Sequence, residues 1–143
     1  MTNGAISEEL KQRVRRQAGD RCGYCLSPQR LVLGWLEMDH IIPTARGGRD
    51  EENNLWLACR LCNHFKSDQQ EALDPETRQR VALFDPRRQR WSEDFAWSDN
   101  GTLIIGKTAC GRATVLALQL NYWIAVQVRR QWVLAGWHPP GVG

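Results

Sequence analysis

Residues 37–48, EMDHIIPTARGG, set a titratable pair, Asp39 and His40, inside an apolar run made by Met38, Ile41 and Ile42. Burying two such groups is costly unless they are paired or bound to something. Partners of the right type lie downstream. If the segment from Cys59 is helical, Cys59, Cys62, Asn63 and Lys66 are spaced i, i+3, i+4, i+7 and share one face. A hard cation such as Mg²⁺ takes oxygen ligands and keeps several waters. The Asp39 carboxylate and the Asn63 amide oxygen make such an open site, leaving His40 as a base whose unperturbed pKa is about 6.5. Neighbouring residues of a flat strand face opposite sides, so Asp39 and His40 meet one phosphate only where the strand twists or bulges. Glu37 shares the Asp39 face and reads as a strand-edge acid or a partner of the site. His64 points about 100° away from Asn63 on a helix and ranks below it as a ligand.

Four of the five cysteines form CGYC (Cys22, Cys25) and CRLC (Cys59, Cys62). Each two-residue spacer lets both thiolates reach one metal, and tetrahedral zinc wants four soft ligands. Two disulfides are the competing reading. A four-cysteine site has no open position, so this zinc is expected to be structural, clamping the ends of the 33 residues between Cys25 and Cys59. Cys110 has no partner motif and reads as a small core residue.

The elements that would position these groups follow from capping and periodicity. Residues 7–19 read as a helix capped by Ser7, with Glu8 and Glu9 in its first turn and Gly19 ending it. Leu31–Ile42 reads as a strand bent near Gly34, TARGGRDEEN as a polar loop, and NLWLAC as a second strand. A helix runs from Arg60 to about Gln70. LDPETRQRVALFDPRRQRW reads as a loop-rich linker. FAWSDNGTLIIG holds a hairpin signal at Asn100-Gly101. Two helices follow over ATVLALQLN and YWIAVQVRRQWVLAG, the second with Ile124, Val128 and Trp132 along one stripe. Trp91, Phe95, Trp97, Trp123, Trp132 and Trp137 read as core.

Charge is nearly balanced, with 19 Lys+Arg against 16 Asp+Glu. Lysine occurs only at positions 11, 66 and 107, so the bases are overwhelmingly Arg, whose planar fork grips phosphate bidentately. No acid follows Asp99, which makes the last third basic. No apolar run approaches the ~20 residues of a membrane span, and MTNGAISEEL lacks the pattern of a signal peptide. A cytoplasmic protein is expected, in a compartment where disulfides are rare.

The stretch MDHIIPTARGG…NNLWLACRLCNHFK, with the two cysteine knuckles, resembles the HNH endonuclease family and its ββα-metal fold over about residues 20–68. The resemblance implies four roles. His40 is the general base that activates water; Asp39 and Asn63 ligate a catalytic Mg²⁺ or Mn²⁺; Asn54 orients the base or braces the loop; Lys66 stands near a phosphate. Arg46, Arg49 and the basic first helix, with Arg15 and Arg16, would hold flanking phosphates of duplex DNA, contacts that position without reading sequence. The expected fold is α+β: an HNH core clamped by a four-cysteine zinc over residues 1–70, and a C-terminal hairpin-plus-helices extension over 71–143 packed on it. The expected activity is metal-dependent hydrolysis of DNA phosphodiesters. The alternative is a non-catalytic, zinc-stapled nucleic-acid-binding module. Target and oligomeric state are not legible.

Overall fold

The computed structural model describes residues 6–141 of the 143. Residues 1–5, where the sequence shows no signal-peptide pattern, lie outside the described residues. The chain divides into two compact units, Met1–Gln70 and Glu71–Gly143.

The first unit opens with helix α1 (Glu8–Gln17), started by Ser7, whose hydroxyl accepts from the Leu10 N–H at 3.2 Å. Glu8 and Glu9 sit in its first turn and Arg15 and Arg16 in its last, each complementing the helix dipole. Strands β1 (Glu37–His40) and β2 (Leu55–Ala58) pair antiparallel, with Asp39 opposite Trp56 and His40 opposite Leu55. Helix α2 (Arg60–Lys66) follows, and Cys59 is its cap: the sulfur accepts from the Cys62 N–H at 3.4 Å. Val14, Tyr24, Leu36, Leu55 and Leu57 fill the interior.

Two expectations change here. The expected strand over residues 31–42 shrinks to four residues, preceded by a 3₁₀ turn (Gln29–Leu31) and an open loop in which Gly34 has φ +81°. The Gln29 side chain donates to the Gly34 carbonyl and accepts from the Leu36 N–H, so backbone groups that a partner strand would satisfy bond to an amide instead. Helix α2 stops at Lys66 rather than Gln70, because Ser67 turns to φ +50°.

In the second unit, strands β3 (Glu71–Leu73) and β4 (Arg80–Ala82) form a hairpin whose turn and second strand lie in the stretch, from Leu73 on, expected to be a linker. Sequence periodicity misses strands this short. What organises them is Asp74, which accepts from the N–H groups of Glu76 and Thr77, from the Thr77 hydroxyl, and bidentately from Arg112 at 2.9 and 3.0 Å. Arg112 belongs to helix α4 (Ala109–Ala117), so one ion pair ties the hairpin to the helix.

A short helix α3 (Trp91–Asp94) leads into strand β5 (Phe95–Trp97), which pairs with β6 (Ile104–Gly106) around the expected Asn100-Gly101 turn, Gly101 at φ +75°. Thr108 caps α4 and also donates to Asp94 at 2.6 Å. Gly111 lets α4 press on the Asp94 carbonyl, where a Cβ would lie 2.0 Å from the oxygen.

Helix α5 (Trp123–Ala135) ends at Gly136 as expected, yet of its supposed apolar stripe only Trp132 is buried. Ile124 and Val128 are exposed, while the buried position goes to Arg129, whose guanidinium bonds to the Leu120 and Ala125 carbonyls. The aromatic expectation also divides. Phe95 is buried, Trp91 lies against both Phe95 and Trp97, and His138 packs edge-on against Trp97; Trp123 and Trp137 are exposed. Cys110 is half-buried beside Gln89 rather than in the core, and burial pushes its thiol up. No helix among the described residues is long and apolar enough to cross a membrane.

The Arg112 guanidinium holds the Asp74 carboxyl well below the usual carboxylate range. A depressed pKa stabilises the fold above the unfolded value, about 3.9, and that contribution fades as pH falls below it. Asp74→Asn should therefore melt earlier than wild type at pH 7, with the difference shrinking in melts at pH 3. A difference that stays constant with pH would dissociate Asp74 from the acid sensitivity.

Candidate active site and metal centre

The Sγ atoms of Cys22, Cys25, Cys59 and Cys62 all lie within 4.8 Å of one another. Cys25 and Cys59, from opposite knuckles, are 3.7 Å apart. A disulfide requires about 2.05 Å, whereas the edges of a tetrahedron with Zn–S bonds of about 2.3 Å measure about 3.8 Å. The cysteines are free. The arrangement is compatible with a structural zinc and not with two disulfides. Backbone N–H groups of Tyr24 and Cys62 donate to the sulfurs of Cys22 and Cys59, and the Ser27 hydroxyl lies 3.0 Å from Cys25. Such bonds suit thiolates. Burial pushes the Cys22 thiol up, so a bound cation is what would keep that buried sulfur ionised.

Each knuckle delivers a donor to the same carboxylate. Tyr24, between Cys22 and Cys25, donates its hydroxyl to Asp39 Oδ2 at 2.5 Å; Lys66, at the end of α2, donates Nζ to Asp39 Oδ1 at 3.0 Å. The ammonium also reaches the carbonyls of His40 at 2.7 Å and Ile41 at 3.4 Å. Asp39 is 1% exposed and Lys66 3%. Burial first, then the Asp39 charge, pushes the Tyr24 phenol up, so it stays a proton donor. This answers why a buried strand carries an acid: it is paired twice. It also moves Lys66 from the phosphate contact expected of it into the interior, where its three hydrogens are all engaged.

His40 turns the other way, as strand alternation dictates. Its Nε2 lies 2.7 Å from Asp50 Oδ1. An ionised carboxylate only accepts, so Nε2 carries the proton in that bond and Nδ1 is the basic nitrogen.

Asn54 is a brace. Its Oδ1 accepts from the Ile42 N–H at 2.8 Å, and its Nδ2 donates to the carbonyls of Ile42 and Arg49. The loop from Ile42 to Asn54 is thereby tied across, with Asp50 inside it. Gly48 is required by this closure, since a Cβ there would lie 1.7 Å from the Ile42 oxygen.

Asn63 projects from the α2 face towards β1, as its spacing implied, but its hydrogen bond is to Glu37, at 2.9 Å from Nδ2 to Oε1. Among the described residues no hydrogen bond joins Asn63 to Asp39. The structure therefore brings together Asp39 with Lys66, Asn63 with Glu37, and Asn54 with the loop. His40 stands apart from the Asp39 side chain. His64 is exposed, its ring edge-on to Phe65. Arg46 reaches the Asp68 carbonyl at 3.0 Å and Arg49 lies 3.8 Å from Glu51; both are exposed. Arg16 is exposed, and Arg15 lies over the Trp35 ring. Sequence reasoning missed Tyr24 and Asp50. Tyr24 carried a signal, as an aromatic inside a knuckle, while Asp50 in a polar loop carried none.

A family model described as HNH endonuclease matches residues 22–69, from the first cysteine to just past α2. No curated protein and no solved structure matches the chain significantly.

Removing one partner of a buried ion pair strands the other, at a cost of about 3–5 kcal/mol. Lys66→Met should destabilise the first unit by that amount in denaturant titrations. Adding Asp39→Leu should recover part of the loss, because the stranded charge is gone. Equal losses in the single and double variants would remove the pair from the interior's energetics.

Proposed function

We propose that the protein is a metal-dependent endonuclease hydrolysing DNA phosphodiester bonds, with the HNH-matching residues 22–69 as its catalytic domain. The observation that supports this best is the His40 imidazole at the end of β1, held by Asp50 with Nδ1 as its basic nitrogen. In this reading Nδ1 takes the proton from a water as it attacks phosphorus, and Asp50 stabilises the imidazolium that results. The new P–O bond forms as the P–O3′ bond breaks. Positioned proton transfer of this kind contributes roughly 10²–10⁴-fold. Asn54 keeps the loop that carries Asp50 closed behind the base.

The donor types suit a divalent cation. Asp39 is 1% exposed, however, and His40 faces the opposite side of β1, so the two serve one phosphate only if binding unseals Asp39 and twists the strand. Glu37, Asp39 and Asn63 present oxygen donors on the β1 face that packs on α2, the donor type that Mg²⁺ or Mn²⁺ takes. Asp39 and Asn63 would hold the ion, with Glu37 beside them. Each Asp39 oxygen spends one lone pair on Tyr24 or Lys66 and retains another. When bound, the ion neutralises charge at the phosphate and the leaving oxygen. Duplex DNA is the proposed substrate, with Arg46, Arg49, Arg15 and Arg16 contacting its backbone.

One observation favours a second reading. Asp39 is sealed by an ammonium and a phenol, as suits a zinc-stapled nucleic-acid-binding module without catalysis. Supercoiled plasmid, incubated with the protein and Mg²⁺ or Mn²⁺, separates the two. The nuclease reading expects nicked or linear product, with His40→Ala slowing it by about 10²–10⁴-fold. Salt-sensitive binding with no cleavage under any divalent ion would support the binding module.

A further inference from the structure

Between the first knuckle and β1 the chain builds a projecting apolar tip. Leu33 is 103% exposed and Trp35 75%. Two large apolar side chains on a bare turn are costly in water unless something covers them in use. The tip is also held in shape. The Gln29 amide bonds both the Gly34 carbonyl, at 2.9 Å, and the Leu36 N–H, at 2.8 Å, and Gly34 takes the left-handed conformation the turn needs. Its base is anchored to the metal knuckle, where Gln29 N–H bonds the Asp20 carbonyl and Cys22 N–H bonds that of Ser27.

The surroundings are positive. Residues 15–35 contain Arg15, Arg16, Arg21 and Arg30 against a single acid, Asp20. Among the described residues none of these four arginines has an ion-pair partner. Arg15 lies 5.5 Å from the centre of the Trp35 ring, covering one of its faces. Arg21, half-buried, donates to the Leu26 carbonyl at 2.9 Å. An apolar tip with Arg15 against Trp35 and further unneutralised arginines close by in the chain is complementary to a nucleic acid, whose phosphates surround stacked bases. A purely apolar protein partner would leave those charges unmatched.

We propose that Leu33 and Trp35 form a wedge that unstacks bases of duplex DNA beside the cleaved strand, with the arginines on flanking phosphates. Apolar side chains inserted at a base step in this way open and kink the duplex. Trp35 lies five residues before His40, a span of at most about 17 Å, or about five nucleotides along one strand. The wedge thus acts close to the proposed catalytic base and selects duplexes that deform readily. It rests on the nucleic-acid reading above.

The test uses full-length His40→Ala protein, which binds without cutting, and a set of short duplexes each carrying one 2-aminopurine. Binding is followed by anisotropy and unstacking by 2-aminopurine fluorescence. The expected result is a fluorescence rise at one or a few positions. Adding Leu33→Ser and Trp35→Ser should abolish the rise and weaken binding about tenfold, with zinc content and circular dichroism unchanged. Undiminished binding with no fluorescence rise in either protein overturns the wedge and leaves the DNA reading standing. No binding to any duplex takes down that reading and the wedge with it. A tip variant that loses only self-association, with DNA binding intact, also overturns the wedge.

Discussion

Four sulfurs held within 4.8 Å of one another are the constraint on which the first unit rests. A zinc ion bound by the four sulfurs would join the two knuckles, because the cation offsets the repulsion between thiolates that close. Their closure has consequences beyond the cage. One knuckle carries Tyr24, and the other starts the helix that ends at Lys66. When the two meet, a phenol and an ammonium arrive on opposite oxygens of Asp39, and the strand bearing His40 is fixed. Structural zinc contributes about 10–16 kcal/mol in small domains, while a unit of this size has a net stability of about 4–10 kcal/mol at ordinary per-residue values. A zinc bound at that strength would decide whether the unit is folded.

In the second unit ion pairs and hydrogen bonds tie the elements together. Its hairpin β3–β4 is too short to be stable alone, and the Asp74–Arg112 pair ties it to α4 while Gly111 lets that helix close on the Asp94 carbonyl. Asp74 is buried and its oxygens are satisfied by Arg112 and Thr77, so the pair explains order without implying chemistry. The contrast locates the proposed chemistry in the first unit, where His40 and Asn63 remain half-buried rather than sealed.

Legibility followed the range of the interactions. The knuckles, the α2 stripe and the Asn-Gly hairpin were readable because spacing alone defines them. The Asp39–Lys66 pair spans 27 residues, and nothing local distinguishes a lysine that will be buried from one that will face a phosphate. Tyr24 and Asp50 were missed because each matters only through a partner brought by the fold. The over-long strand came from reading apolar content as pairing, when the Gln29 side chain had replaced the partner strand. The mistaken α5 stripe has a similar origin, since periodicity shows that a helix has faces but not which one Arg129 occupies.

The most direct test of the sulfur clamp is zinc X-ray absorption on the purified protein, followed by hydrogen exchange after metal removal. Four sulfur neighbours at about 2.3 Å are expected, with loss of amide protection across β1, β2 and α2 in the stripped protein. Protein free of zinc with β1 still protected, or a metal shell containing nitrogen or oxygen in place of a sulfur, would contradict it.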